Sequence, residues 1–369
     1  MRIGIDVRLN YYRPGGTVEY ARQLLGELAV LDPANNYFVV QHIRDCESLL
    51  PAPNFARANT ITPSHHRLER WLLGAELRRF RLDIMHYPDS IPAQGGARRC
   101  VITIHDLHYL HFPQFMTESS RRYYAGQIRW ATRQADHLLV PSEATRRDLV
   151  ALLSTPEHKI TVHMLGVNAR FRPAPPDEVA ACRNRHDLPS SYVLFVGTYE
   201  PRKNIPALLR AYDLLRQTLP DLPPLVLAGR RGWLFEDIFR LAHDLALDDY
   251  LLWRENFPAE DLPALYSGAI ALALPSFYEG FGLTALEAMA CGTPPIVSDR
   301  SSLPEVVGEA GLLINPDNPE TLADALRRLL EDSALRERLR LIGLERAHEF
   351  TWRRTAEIVR SVYDRVISS

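Results

Sequence analysis

Short apolar runs alternate with amphipathic stretches along the whole chain. Ile3 to Val7, Tyr37 to His42, Asp83 to Tyr87, Val101 to Ile104 and His137 to Val140 are the runs of the first half. Each is too short for a helix and reads as a strand buried on both faces. Between them, Val18 to Leu31, Ser119 to Gln134 and Glu143 to Leu153 repeat apolar residues at helical spacing, the last with Ser142 as N-cap. This alternation predicts a parallel sheet covered by helices. The proline-rich stretch Phe171 to Pro176 interrupts it as a linker. Strand-like runs then return at Tyr192 to Val196, Leu225 to Ala228, Ala269 to Leu274 and Pro295 to Val297, the first two ending in Gly197 and Gly229. Thr321 to Ser369 is helical and charged, and Phe350-Thr351-Trp352 marks a change of direction. The expected division is a first α/β domain over 1–172, a second over 173–349, and a helix over 350–369 crossing back to the first.

Composition narrows the function classes. A length of 369 residues suits two domains. A net charge of −2 gives no overall field for nucleic acid or a membrane surface. Cys46, Cys100, Cys182 and Cys291 lie far apart, which argues against a zinc site or a disulfide framework and fits a reducing compartment. The N-terminus enters a strand pattern directly, without a signal-peptide layout. No apolar run approaches the ~18 residues of a membrane span. A cytoplasmic protein is the expectation. Arg67 to Arg81 reads as an amphipathic helix packing Trp71, Leu72, Leu77 and Phe80 on the first domain; contact with an anionic membrane or a lipid-linked acceptor is the alternative.

Only Lys159 and Lys203 are lysines among 43 basic residues. A chain that uses arginine so freely keeps a lysine where a compact point charge matters. Lys159 reads as a surface-loop residue. Lys203 follows Arg202 at the end of a predicted strand, close behind Gly197, which lets a ligand approach the backbone.

Glu279 and Glu287 bracket Gly280-Phe281-Gly282-Leu283, a turn from a buried strand into a helix. Ligands of open α/β sheets bind at such corners, where a helix N-terminus offers free amides. Carboxylates beside an anion site imply a ligand that is both phosphate and polyol, as a sugar nucleotide is. A departing nucleoside diphosphate needs a metal ion or fixed cations and amides. The chain holds no Asp-x-Asp pair, so Arg202 and Lys203 point to a metal-independent clamp with no cofactor. His105, His108 and His111 share a three-residue spacing. The strand before them and Pro113 after them argue against a helical metal site, and His108 and His111 read as loop residues. Asp6-Val-Arg-Leu-Asn10 carries no Gly-x-Gly-x-x-Gly, which argues against a dehydrogenase.

Glu279-x₇-Glu287 around Gly280 to Leu283, with Pro201-Arg-Lys-Asn204, resembles the retaining glycosyltransferases of family four. Gly15-Gly16, Thr103-Ile-His-Asp106, Pro141-Ser-Glu143 and Ser301-Ser-Leu-Pro-Glu305 extend the resemblance over nearly the whole chain. Gly197 to Asn204 and Ile104 to Leu107 look most like the bacterial mannosyltransferase branch that builds surface polysaccharides. The resemblance implies the GT-B fold, two facing Rossmann-like domains with a cleft between them. It implies a hexose donor, GDP-mannose by branch, and a glycan or lipid-linked acceptor, with peripheral membrane contact as an accompaniment. Arg202 and Lys203 would bind the diphosphate and Glu287 the ribose hydroxyls, with Glu279 near the sugar. The amides of Phe281, Gly282 and Leu283 would hold hydroxyls or phosphate. Gly15 and Gly16 would admit the phosphates, and His105 would contact the reacting end of the sugar. A sugar-nucleotide epimerase or hydrolase, or a non-enzymatic sugar-binding protein, are the competing readings.

Overall fold

The computed structural model describes residues 1–12, 15–47 and 49–368. The chain forms two compact units, Met1–Gly166 with Thr351–Ser369, and Val167–Phe350. The first runs β1 (Arg2–Asp6), α1 (Gly16–Leu31), β2 (Asn36–His42), β3 (Phe55–Thr60), α2 (Glu69–Leu77), β4 (Leu82–Tyr87), β5 (Ala97–Thr103), α3 (His108–His111), α4 (Glu118–Gln134), β6 (His137–Val140), α5 (Glu143–Leu153) and β7 (Ile160–Val162). The second runs α6 (Pro176–His186), β8 (Val193–Tyr199), α7 (Ile205–Arg216), β9 (Leu225–Arg231), α8 (Glu236–Asp244), β10 (Leu251–Glu255), α9 (Leu262–Ser267), β11 (Ala271–Leu274), α10 (Leu283–Ala290), β12 (Pro295–Ser298), α11 (Leu303–Val307), β13 (Leu312–Ile314), α12 (Pro319–Glu331) and α13 (Ser333–His348). Finally α14 (Trp352–Ser368) rejoins the first unit and packs on α1. Ser369, where the expected helical stretch ends, lies outside the described residues.

Both sheets are parallel throughout, as the alternating pattern predicts. Their orders are β3-β2-β1-β4-β5-β6-β7 and β10-β9-β8-β11-β12-β13. Each order reverses direction once, between β1 and β4 in the first sheet and between β8 and β11 in the second. The central strands are sealed on both faces; Val193, Leu194, Phe195 and Leu225 to Leu227 have no exposure. Gly197 and Gly229 do not end their strands. They pair in register, and the ladder continues to Tyr199 and Arg231, because each strand still has a neighbour to bond.

Two further expectations are corrected. His108 and His111 lie on the one-turn helix α3, held by Asp106 at the first (2.6 Å) and Asp148 at the second (3.0 Å). Trp71 and Leu72 do not pack inward; they are 50% and 46% exposed. Leu73, Gly74 and Leu77 form the buried face of α2. Gly74 sets this rotation, since a side chain there would meet the Gln94 carbonyl at 2.3 Å.

A buried polar chain ties α14 to the first sheet. The Val140 carbonyl can only accept, so His163 Nδ1 carries the proton that bonds it at 2.7 Å. His163 Nε2 must then accept from the Tyr20 hydroxyl at 3.2 Å. Tyr20 has no second proton, so Thr103 donates to it at 3.1 Å. His86 Nε2 in turn donates to Thr103 at 2.8 Å, and His86 Nδ1 accepts from Tyr363 at 2.6 Å. The direction is forced from one end to the other, and both histidines must be neutral. Burial does this, lowering each to about 3.

Candidate active site

In the second unit the ends of β8 and β11 meet at the reversal of strand order, where an open α/β sheet binds its ligand. After β8 the chain makes a tight 3₁₀ turn, Pro201–Lys203, and Asn204 takes a left-handed conformation before α7 begins. The Asn204 side chain anchors that turn on the Pro316 carbonyl at 2.7 Å. After β11 the loop to α10 lies against it, and the Phe277 N–H bonds the Arg202 carbonyl at 2.9 Å. Lys203 is thereby buried and Arg202 half-buried in a fixed turn.

The charges form one cluster. The Lys203 ammonium lies 2.6 Å from Glu279, and Arg202 lies 2.8 Å from Glu279 and 2.6 Å from Glu200. Ser276 donates to Glu279 at 2.7 Å. Burial alone would push the Glu279 carboxyl up; Lys203 and Arg202 outweigh it and hold it down at about 2. The two cations differ in what they have left to give. Arg202 engages all three of its side-chain nitrogens, with Glu200, Glu279 and the Tyr278 carbonyl. Lys203 Nζ makes one bond to a described residue and keeps two N–H groups unspent.

Two serines pin the glycine turn. Ser301 accepts the Glu279 N–H at 2.9 Å, and Ser302 shares its one hydroxyl proton between the carbonyls of Glu279 (2.9 Å) and Phe281 (2.7 Å). Gly282 caps α10 at φ 106°, and a side chain on it would strike Leu303 at 2.7 Å, so only glycine fits. Ala285 and Leu286 close the first turn onto the Gly282 carbonyl. The N–H groups of Leu283 and Thr284 stand outside that ladder and make the positive end of the helix. Glu287, half-buried one turn on, accepts from the Tyr266 hydroxyl at 2.9 Å. The ion pairs of Arg202 and Lys203 are thus with Glu279 and Glu200.

Family models match most of the chain. One described as "Glycosyltransferase Family 4" covers residues 14–171, and one described as "Glycosyl transferases group 1" covers 181–346. O-antigen chain mannosyltransferase B of Escherichia coli is 34% identical over 290 residues, 78% of this chain and 74% of its own length. The chain belongs to glycosyltransferase family four. Serotype-specific mannosyltransferase WbdA of Escherichia coli is 29% identical over 294 residues, which cover 77% of this chain but 35% of that longer protein. A solved structure of sucrose-phosphate synthase from Thermosynechococcus elongatus superposes with a TM-score of 0.80 at 23% identity, covering 100% of this chain and 99% of that one. The GT-B fold expected from the sequence is therefore the fold of this glycosyltransferase.

The first unit carries the remaining expected residues of the glycosyltransferase. Gly15 and Gly16 open α1, and a Cβ added to either would meet nothing within 4 Å among the described residues. Packing against the described residues thus does not demand glycine there. His105 follows β5, half-buried, with Nε2–H bonding the Pro88 carbonyl at 2.8 Å and Tyr20 edge-on at 5.1 Å. That bond leaves Nδ1 as an acceptor, and burial lowers the histidine so that it stays neutral. Among the described residues no three metal-type side chains cluster. Sequence reasoning missed Glu200, Ser276 and Tyr266. Glu200 follows the end of β8, Ser276 sits in the loop three residues before Glu279, and Tyr266 lies on α9, 21 residues before Glu287.

Proposed function

We propose that this glycosyltransferase moves mannose from GDP-mannose to a glycan or lipid-linked acceptor of a surface polysaccharide, with retention at the anomeric carbon. The donor lies against the second unit and the acceptor against the first. The carrying observation is Lys203, 8% exposed, held with two N–H groups to spare by Glu279, whose loop leads into α10. Such preorganised donors stabilise the charge that grows on a leaving diphosphate. In this reading no metal ion is needed. Glu287, oriented by Tyr266, takes the ribose hydroxyls. Open space at Gly15 and Gly16 leaves room for phosphates. His105 Nδ1 accepts from a sugar hydroxyl. The name of the O-antigen mannosyltransferase relative supports mannose as the sugar.

Retention follows by attack on the same face, with the donor phosphate taking the acceptor proton. Glu279 is a poor nucleophile, because Lys203, Ser276 and Arg202 occupy both its oxygens. The test is transfer from GDP-mannose to a mannoside in the presence of a chelator, with the product anomer read by NMR. An α-linked product is expected. A β-linked product, strict dependence on Mg²⁺ or Mn²⁺, or donor consumption without transfer would overturn the reading.

A further inference from the structure

Two holds of different kinds place the His105 ring. Its Nε2–H bonds the Pro88 carbonyl at 2.8 Å, its one hydrogen bond among the described residues. A single bond of this kind fixes a nitrogen but leaves the plane of the ring free to turn about it. The second hold is Tyr20, whose ring meets the imidazole edge to face, with centroids 5.1 Å apart and planes at 81°. Tyr20 lies on α1, one turn after Gly16. It is itself locked. It has no exposure, and its hydroxyl is bonded by Thr103 at 3.1 Å and to His163 at 3.2 Å. The rings of His163, Trp352 and His86 surround it at 5.4, 6.1 and 6.4 Å. Thr103 ends β5 and His105 follows two residues on. Tyr20 therefore grips this strand end twice, through its hydroxyl at Thr103 and through its ring at His105.

We propose that Tyr20 is a positioning residue of the transfer reaction, whose ring sets the plane of the His105 imidazole and so aims Nδ1 at the donor sugar. This rests on the proposed contact between His105 Nδ1 and a sugar hydroxyl. The ring does the aiming. The two hydrogen bonds of the hydroxyl belong to the buried chain that ties α14 to the sheet.

Tyr20→Phe and Tyr20→Leu separate these roles, because both lose the same two hydrogen bonds and only the second loses the ring. The first readout needs no turnover. In long-range ¹H–¹⁵N spectra of histidine-labelled full-length protein, with His105 assigned by its loss in His105→Ala, one Nε2–H tautomer is expected in the parent and in Tyr20→Phe. In Tyr20→Leu the His105 signals should shift or double. The second readout is transfer from GDP-mannose to methyl α-mannoside. Tyr20→Leu should lower kcat about tenfold and Tyr20→Phe less than about twofold, since a reacting group need move only slightly to lose its rate advantage. In a His105→Ala background Tyr20→Leu should cost no further rate, while its loss of thermal stability persists. Tyr20→Met, which fills the space without a flat ring, replaces Tyr20→Leu if that variant does not fold. Parental His105 signals in the ringless variant, equal rate losses in Tyr20→Phe and Tyr20→Leu, or a full further loss in His105→Ala would overturn the proposal. A His105→Ala protein with parental kcat would strike the sugar contact itself and the proposal with it, and the ring signals distinguish that outcome from a failure of Tyr20 alone.

Discussion

The two sheets share one strand order up to the extra edge strand β7, and at both reversals a buried cation meets carboxylates. The second unit sets Lys203 and Arg202 against Glu279 and Glu200, two charges of each sign. The first sets Arg8 against Asp6 and Glu69, with Asp89 nearby. The difference lies in which donors remain. A lysine with one bond holds a point charge in reserve, whereas an arginine fork closed on a bidentate carboxylate is a structural clasp. The same crevice of the same topology thus keeps a donor in reserve in one unit and closes its cation on carboxylates in the other.

Substitutions at the cations break this contrast most directly. Arg8→Ala strands Asp6 and Glu69 without their counter-ion. Removing one partner of a buried pair costs about 3–5 kcal/mol, so the urea midpoint of the first unit should fall steeply. Lys203→Ala should lower kcat by about 10²–10³. Its cost in stability should be smaller, because Arg202 and Ser276 still hold Glu279. Arg202→Ala should show the reverse bias, losing more stability and less rate than Lys203→Ala. Near-normal turnover in Lys203→Ala, or an Arg8→Ala protein as stable as its parent, would remove the distinction between reserve and clasp.

The second site was far more legible in the sequence than the Arg8 cluster of the first unit. Arg202, Lys203, Glu279 and Gly282 sit in two contiguous segments, each following a strongly apolar strand. Arg8 and Glu69 lie 61 positions apart and meet only because α2 starts over the end of β1. Strands divide the same way. The central ones, sealed on both faces, read as unbroken apolar runs. The four that the pattern did not reveal, β3, β7, β10 and β13, are the edges of the two sheets. Their half-solvated faces mix charged and apolar residues, as Phe55–Thr60 and Leu251–Glu255 show. The helix rotation that exposes Trp71 was equally hidden, since it depends on a backbone contact of Gly74 with a segment beyond β4.

Acid should separate the units by a smaller margin. His86 and His163 in the first unit are buried and neutral, lowered to about 3. Unfolded, they would take up protons near pH 6.5. A depressed histidine contributes stability that is present above about 6.5 and drains away as pH falls toward 3. Between pH 6.5 and 5.5 the loss is about 1 kcal/mol per histidine. His111, raised by its bond to Asp148, partly offsets this. In the second unit Glu279 is depressed to about 2, so its contribution is intact above about 4.5 and lost only as pH falls toward 2. Acidification from pH 6.5 to 5.5 should therefore soften the first unit and spare the second. Urea melts of two single-tryptophan variants, retaining Trp352 in the first unit or Trp253 in the second, can read this. A lower midpoint for the Trp352 reporter alone is expected. An equal fall in both would mean that the Tyr363-to-Val140 hydrogen-bond chain does not set the acid response, and that the units melt as one.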